Sequence, residues 1–449
     1  MSTESKSFLN SLDGRVAEII ENCVSCGACA DVCPTPKLAN IQTIGSVDLV
    51  KGVLDILQHV EVKEESKVWS TKCCGSGFCQ SACEYGINPR FMLAMARKTL
   101  NGKKSEEVRR DAGKNAFKKM SRGVRVLSRL QLHPKILEKI SPRSHPKLET
   151  PPDVVFYTGC NMLKTPHIGL LCLDVLDRLN LTYEVHGGPS NCCGILQFRP
   201  GDTENAGRQA LKTIDRLTQT NSSKVLSWCP TCQIQFTEVA KPSLKLASDN
   251  TFDMTMFPVF LADNLDKLQP LLVNTVNKRV AIHEYAGELG VMDSVRTLLK
   301  LVPGIELVEL GHKSAGYTGT ALAEMKDYQK QTIAKTLQKA EYMEVDILVG
   351  VYHNDHREFS GHEAAWNFKV ANYMEILGES IGVDRPDIFK QLKLMGDVDA
   401  IISSASDLIR EHDLSLSEVR EVVISDMLND QQLPVDRSCL LYTSDAADE

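Results

Sequence analysis

Two cysteine runs near the N-terminus constrain this chain more than any other feature. The first, CVSCGACADVCP, places Cys23, Cys26, Cys29 and Cys33 at C-x2-C-x2-C-x3-C spacing ahead of Pro34. The second, CCGSGFCQSACEYGI, holds Cys73, Cys74, Cys79 and Cys83. Thiolates repeated at three-residue intervals wrap one iron–sulfur cube, and the fourth cysteine of such a run serves a neighbouring cube. Gly27 lets the first loop turn tightly. Zinc knuckles use paired C-x2-C steps instead.

Anchored on its end, the second run puts Cys73, Cys79 and Cys83 in register with the first. Ser76 then falls in the remaining ligand slot, and Glu84 stands where proline is usual. Crossed ligation assigns Cys23, Cys26, Cys29 and Cys83 to one cluster. The other takes Cys33, Cys73, Cys79 and either Cys74 or Ser76. Thiolate is the softer and better iron ligand, which favours Cys74. The expected cofactors are two [4Fe-4S] clusters, with [3Fe-4S] as the alternative for the second.

Five further cysteines follow a wide pattern: Cys160, the adjacent pair Cys192-Cys193, and Cys229-x2-Cys232. Thirty-one residues separate the first from the pair, and thirty-five separate the pair from the last two. This pattern resembles the CCG domain of the heterodisulfide reductase B subunit, and the preceding region resembles the C subunit. The fused order is that of the D-subunit type, over roughly residues 15–395. Related iron–sulfur subunits serve anaerobic glycerol-3-phosphate dehydrogenase and glycolate oxidase. The resemblance implies that Cys160, Cys192, Cys193, Cys229 and Cys232 hold one non-cubane [4Fe-4S] cluster. Adjacent thiolates can reach neighbouring irons, Gly194 lets the backbone approach, and Pro230 stiffens the second clamp. Cys172, mid-helix on an apolar face, reads as inert core.

The remainder alternates strand and helix. Strands are expected at DVVFYTG, YEVHGG and KVLSWCP, then again at RVAIHEYAG, IELVEL and DILVGVYH, with amphipathic helices between. Such alternation indicates parallel α/β units. The second set keeps the first set's spacing, since thirty-five residues also separate Ala315 from Val351. In that register the five ligand positions become Ala286, Ser314, Ala315, Val351 and Asn354, none a thiol, so a second non-cubane cluster is excluded. His283, His312, His353 and His356 lie near the vacated positions. They either fill the space as polar loop residues or gather for metal, anion or proton chemistry, with His283 and His353 the favoured catalytic pair because both cap equivalent strands.

The fold class expected is α+β multi-domain: an N-terminal helical two-cluster ferredoxin domain, then two pseudo-duplicated α/β CCG domains. The expected segments are a two-cluster domain (1–100), a basic helical linker (101–150), a CCG domain (151–275), a degenerate CCG domain (276–395) and C-terminal helices (396–438). The linker carries 14 Lys or Arg against 5 Asp or Glu. It reads as a solvated connector or a docking face for an acidic partner or anionic membrane. The ending CLLYTSDAADE (439–449) resembles a translated sequencing adapter, so Cys439 is set aside from the chemistry. A net charge of −7 gives no reason to expect a nucleic-acid partner.

Two functions remain open on the sequence. One is an oxidoreductase subunit that cleaves or forms a disulfide-type bond, with cubanes feeding the non-cubane centre and a thiol-bearing protein as substrate. The other is a relay from a flavin dehydrogenase of a hydroxy acid, glycerol phosphate or amine to a membrane quinone. No Gly-x-Gly-x-x-Gly motif appears, so either function calls for a separate flavoprotein. The start of the chain lacks a signal-peptide pattern and no apolar run spans a bilayer. The expected location is cytoplasmic, with peripheral docking on the inner membrane face as the alternative.

Overall fold

The computed structural model describes residues 3–243 and 252–437, so the adapter-like segment 439–449 lies outside the described residues. Its framework is two parallel sheets. The first contains β1 (Val154–Tyr157), β2 (Tyr183–His186), β3 (Lys224–Ser227) and β4 (Asp253–Met256), in the order β2-β1-β3-β4. The second contains β5 (Lys278–His283), β6 (Ile305–Val308), β7 (Ile347–Gly350) and β8 (Lys369–Asn372), in the order β6-β5-β7-β8. The second sheet repeats the strand order of the first, with every strand pair parallel. Six of the eight strands were expected; the edge strands β4 and β8 are the additions.

β1 shows how the layers form. Val154, Val155, Phe156 and Tyr157 are all buried, as a parallel strand covered on both faces requires. Successive side chains point to opposite faces. Val154 and Phe156 enter a core shared with Val280 and Ile282 of β5. Val155 and Tyr157 enter another, shared with Leu49, Val53 and Phe91 of the N-terminal helices. The first sheet is thus covered on one face by those helices and on the other by a helical core that it shares with the second sheet.

The N-terminal helices are α1 (Thr3–Asn22), α2 (Ser46–Leu57), α3 (Glu64–Thr71) and α4 (Pro89–Asn101). On α2, Leu49, Val50, Val53, Ile56 and Leu57 form the buried stripe of an amphipathic helix. The basic segment forms α5 (Glu106–Arg129), and it is not free of the body. Val126 and Leu127 pack with Val419, Val422 and Met427 near the C-terminus. Arg122 and Arg125 pair with Glu421 and Glu418 there, so part of the segment's positive charge is matched within the chain. No helix among the described residues is long and apolar enough to cross a membrane.

Candidate iron–sulfur centres

The five wide-spaced cysteines follow three neighbouring strands: Cys160 after β1, Cys192 and Cys193 after β2, and Cys229 and Cys232 after β3. This is where parallel sheets collect ligands. Gly159 has φ +67°, and a Cβ there would lie 2.8 Å from that of Cys229; only glycine lets the two loops approach so closely. The sulfurs lie close enough to shift one another in sequence, Cys160 with Cys192, Cys192 with Cys193, Cys193 with Cys232 and Cys232 with Cys229. The neighbouring Cys192 sulfur, then burial, pushes the Cys160 thiol up; Cys192, opposed by Cys232 and aided by burial, pushes Cys193 up. Cys160 and Cys193 in turn hold Cys192 well down. The Thr213 hydroxyl donates to the Cys192 carbonyl at 2.9 Å, and Tyr157 Oη donates to the Asn191 carbonyl at 2.6 Å. Five packed sulfurs cannot all ionise without a counter-charge. A cationic centre that displaces their protons supplies one, and an all-sulfur donor set suits iron–sulfur chemistry.

The N-terminal runs face each other in matching form. Gly27 (φ 89°) and Gly77 (φ 96°) each cap a one-turn helix, Ala28–Asp31 and Phe78–Ser81, which aligns Cys29 with Cys79 and Cys26 with Ser76. Burial, then the charges of Cys23, Cys26 and Cys83, pushes Cys29 up to about 12. Burial, then Cys74, Cys33 and Cys79, raises Cys73. The structure therefore brings together Cys23, Cys26, Cys29 and Cys83 in one group, and Cys33, Cys73, Cys74 and Cys79 in another. Trp69 Nε1 donates to Cys33 Sγ at 3.3 Å. Ser76 lends its carbonyl to the Glu288 amide at 2.8 Å.

Residues 154–237, which contain all five wide-spaced cysteines, match the family model described as a cysteine-rich domain, CCG. The chain carries a CCG domain. No curated protein and no solved structure matches the chain. A CCG domain is consistent with iron–sulfur binding and electron transfer.

The second sheet repeats the CCG frame without its thiols, in a register that differs from the one read by spacing. Strand pairing sets Tyr157 opposite Ser227 and His283 opposite Gly350. The helices that follow begin after Cys229 in the CCG domain and after Tyr352 in its twin. The counterparts of Cys229 and Cys232 are thus Tyr352 and Asp355, each one residue beyond Val351 and Asn354. Constant spacing failed because the connection into β7 is one residue longer than the one into β3. Gly194 (φ +83°) matches Gly316 (φ +85°), so Ser314 and Ala315 keep their places.

Nor do the four histidines gather. A cavity of about 330 Å³ occupies the twin's loop end, lined by His283, Tyr285, Ser314, Asn354, Asp355 and Arg357. There Asp355 Oδ1 accepts from Tyr285 Oη at 2.7 Å, and burial pushes its carboxyl up to about 7. His283 and His312 each meet the Thr336 hydroxyl at 3.0 Å; burial holds His283 down to about 3. His353 turns instead toward the CCG domain, where its Nδ1 accepts from Trp228 Nε1 at 3.2 Å. His356 faces Asp387 at 2.6 Å.

The twin's loop rests on the second cysteine run, a contact with no sequence signal. Ala315 packs with Cys74, and Tyr317 Oη lies 3.4 Å from the Thr231 hydroxyl of the CCG domain. Arg90 ties the second cysteine run to the CCG half: Nη1 donates to the Gly75 carbonyl at 2.7 Å and Nε to Glu238 at 3.0 Å. Between them opens a cleft of about 570 Å³, whose lining includes Cys73, Arg90, Arg97, Arg199, Thr231 and Tyr317.

Proposed function

We propose that the protein is an iron–sulfur redox subunit in which two cubane clusters exchange electrons with a non-cubane cluster in the CCG domain, where a disulfide- or thiol-type bond is cleaved or formed. The observation that carries this reading is the cleft shared by Cys73 and Thr231, one from the second cysteine run and one from the Cys-Pro-Thr-Cys clamp. In this reading Cys23, Cys26, Cys29 and Cys83 hold the first cubane, and Cys33, Cys73, Cys74 and Cys79 the second. Cys160, Cys192, Cys193, Cys229 and Cys232 hold the non-cubane cluster. Bound clusters supply one-electron transfer and an iron that accepts thiolate. Arg97 and Arg199 favour an anionic or thiolate-bearing substrate in the cleft. His283 and His353, the histidines expected to manage protons, have their basicity lowered by burial and do not line this cleft, so no proton step is assigned to them. Cys26 is exposed beside exposed Val24 and Tyr85, which suits docking of a separate flavoprotein at the first cubane.

A relay from a flavin dehydrogenase to quinone is the second reading. It is favoured by the burial of Cys160, Cys192, Cys193 and Cys232, which leaves Cys229 alone of the five partly exposed.

Electron paramagnetic resonance during anaerobic oxidative titration, with and without added thiol, separates the two. A new paramagnetic species that requires both thiol and Cys193 supports sulfur chemistry. Cubane-type signals alone, insensitive to thiol, overturn it in favour of the relay. In the same protein, Cys74→Ala should lower iron content and alter the second cubane's signal, while Ser76→Ala should not.

A further inference from the structure

We propose that His167, His356 and Glu375 bind one divalent ion of the zinc class, with Asp387 orienting both imidazoles, at a site separate from the cysteine centres. The four residues come from four elements. His167 opens the helix Pro166–Arg178, which follows β1; His356 lies on His353–Ser360, after β7. Glu375 lies in the first turn of Tyr373–Ile381, and Asp387 caps Ile388–Leu394. One ligand atom from each lies within 4.8 Å of the others.

The unsatisfied nitrogens point to an ion. His167 is 3 % exposed and His356 is 0 % exposed. Yet both ring nitrogens of His167, and Nδ1 of His356, have no hydrogen-bond partner. Buried polar atoms left this way are costly and uncommon. His167 Nε2 and His356 Nδ1 each lie 3.8 Å from Glu375 Oε2. That is too long for a hydrogen bond. It is close to the spacing of about 3.4 Å that adjacent donors take around a tetrahedral zinc with bonds of about 2.0–2.1 Å.

Asp387 stands behind the rings. Its Oδ2 is 2.6 Å from His356 Nε2, and its Oδ1 is 3.5 Å from His167 Nδ1. A carboxylate on the far nitrogen is the usual device for setting a metal-binding imidazole. Both acids are fixed in turn: the Lys390 amide donates to Asp387 at 3.0 Å and the Asn372 amide to Glu375 at 2.5 Å. The Lys390 ammonium is engaged elsewhere, 2.7 Å from the Val370 carbonyl and 3.1 Å from Glu363. A divalent cation neutralises the two carboxylates while the imidazoles stay neutral. A proton-only network of imidazolium rings would instead leave the His167 N–H groups 3.5 and 3.8 Å from the Asp387 and Glu375 carboxylates, longer than ordinary hydrogen bonds. Imidazole and carboxylate donors suit zinc and disfavour the thiophilic centres held by the cysteines. The Glu375 side chain is 21 % exposed and leaves a route for ion and water. Because His167 belongs to the CCG half and the other three to the twin, a bound ion would tie the halves together.

The test uses full-length protein dialysed against EDTA, reloaded with Zn²⁺, and examined by elemental analysis and zinc-edge X-ray absorption. Stoichiometric zinc with a nitrogen/oxygen shell at about 2.0–2.1 Å is expected. It should disappear in His167→Gln and Glu375→Gln with iron content unchanged. Asp387→Asn should weaken zinc binding about 10–100-fold. The proposal is overturned if the folded protein takes up no zinc, if sulfur appears in the shell at about 2.3 Å, or if both ligand variants keep the metal. The shell of the unmodified protein decides the matter even where a variant fails to fold.

Discussion

Beyond β1, β2 and β3 the loops converge on sulfur; beyond β5, β6 and β7 the corresponding loops present hydroxyls, a carboxylate and an imidazole. Both sheets have the same strand order, so the backbone frame does not decide which chemistry a half can host. The side chains at a few loop positions do. Cys232 has Asp355 as its counterpart, and Tyr157, beneath the cysteines, has His283. The twin has become a support: its Ala315 and Tyr317 press on the second cysteine run, while its own loop end holds a polar cavity.

The sharpest way to break the comparison is to exchange its sulfur. Cys193→Ala should remove one cluster's complement of iron and abolish any thiol-dependent paramagnetic species. Ala315→Cys should gain no iron, because the other four positions of the twin stay without thiols. Next in size is the tie between the parts. Arg90 and Glu238 form a pair only 8 % and 14 % exposed, and Arg90→Ala should cost about 3–5 kcal/mol in denaturant unfolding by stranding a buried charge.

The third contrast is acid sensitivity. His283 titrates at about 3 in the folded protein, against about 6.5 when unfolded. Its contribution is therefore complete above the unfolded value and is lost as pH falls toward the folded one. Between pH 7 and pH 5 that loss should be about 2 kcal/mol. His283→Gln should flatten the pH dependence of stability by that amount, whereas Tyr157→Phe should not. The smallest effect belongs to the cysteine-pair loop, where Thr213→Val should cost about 1 kcal/mol through the lost bond to the Cys192 carbonyl and leave iron content unchanged.

What could be read from the sequence follows from what is local. Cysteine spacing and runs such as Val154–Tyr157 are short-range signals, and both the CCG domain and six strands were legible. Cys74, expected as a ligand from softness, lies near enough to Cys33 for its charge to raise that thiol. The shift from Val351 to Tyr352 was hidden because one extra residue in a connection leaves no mark on composition. The partners of His353 and His356, Trp228 and Asp387, come from distant segments, as do His167 and Glu375. The packing of α5 on the C-terminal helices was obscured by its surface charge, which masks a stripe of small and apolar residues.

The seating of the second cysteine run on the twin has a consequence for biosynthesis. Ser81 Oγ meets Glu288 at 2.5 Å, across a separation of 207 residues. During translation all eight N-terminal thiols, Cys83 last, emerge long before the twin that covers the second group. The loop at Cys73–Cys79 waits bare until the downstream half leaves the ribosome. Its maturation is thereby coupled to completion of most of the polypeptide, and a ribosome stalled before β5 would leave that thiol group without its lid.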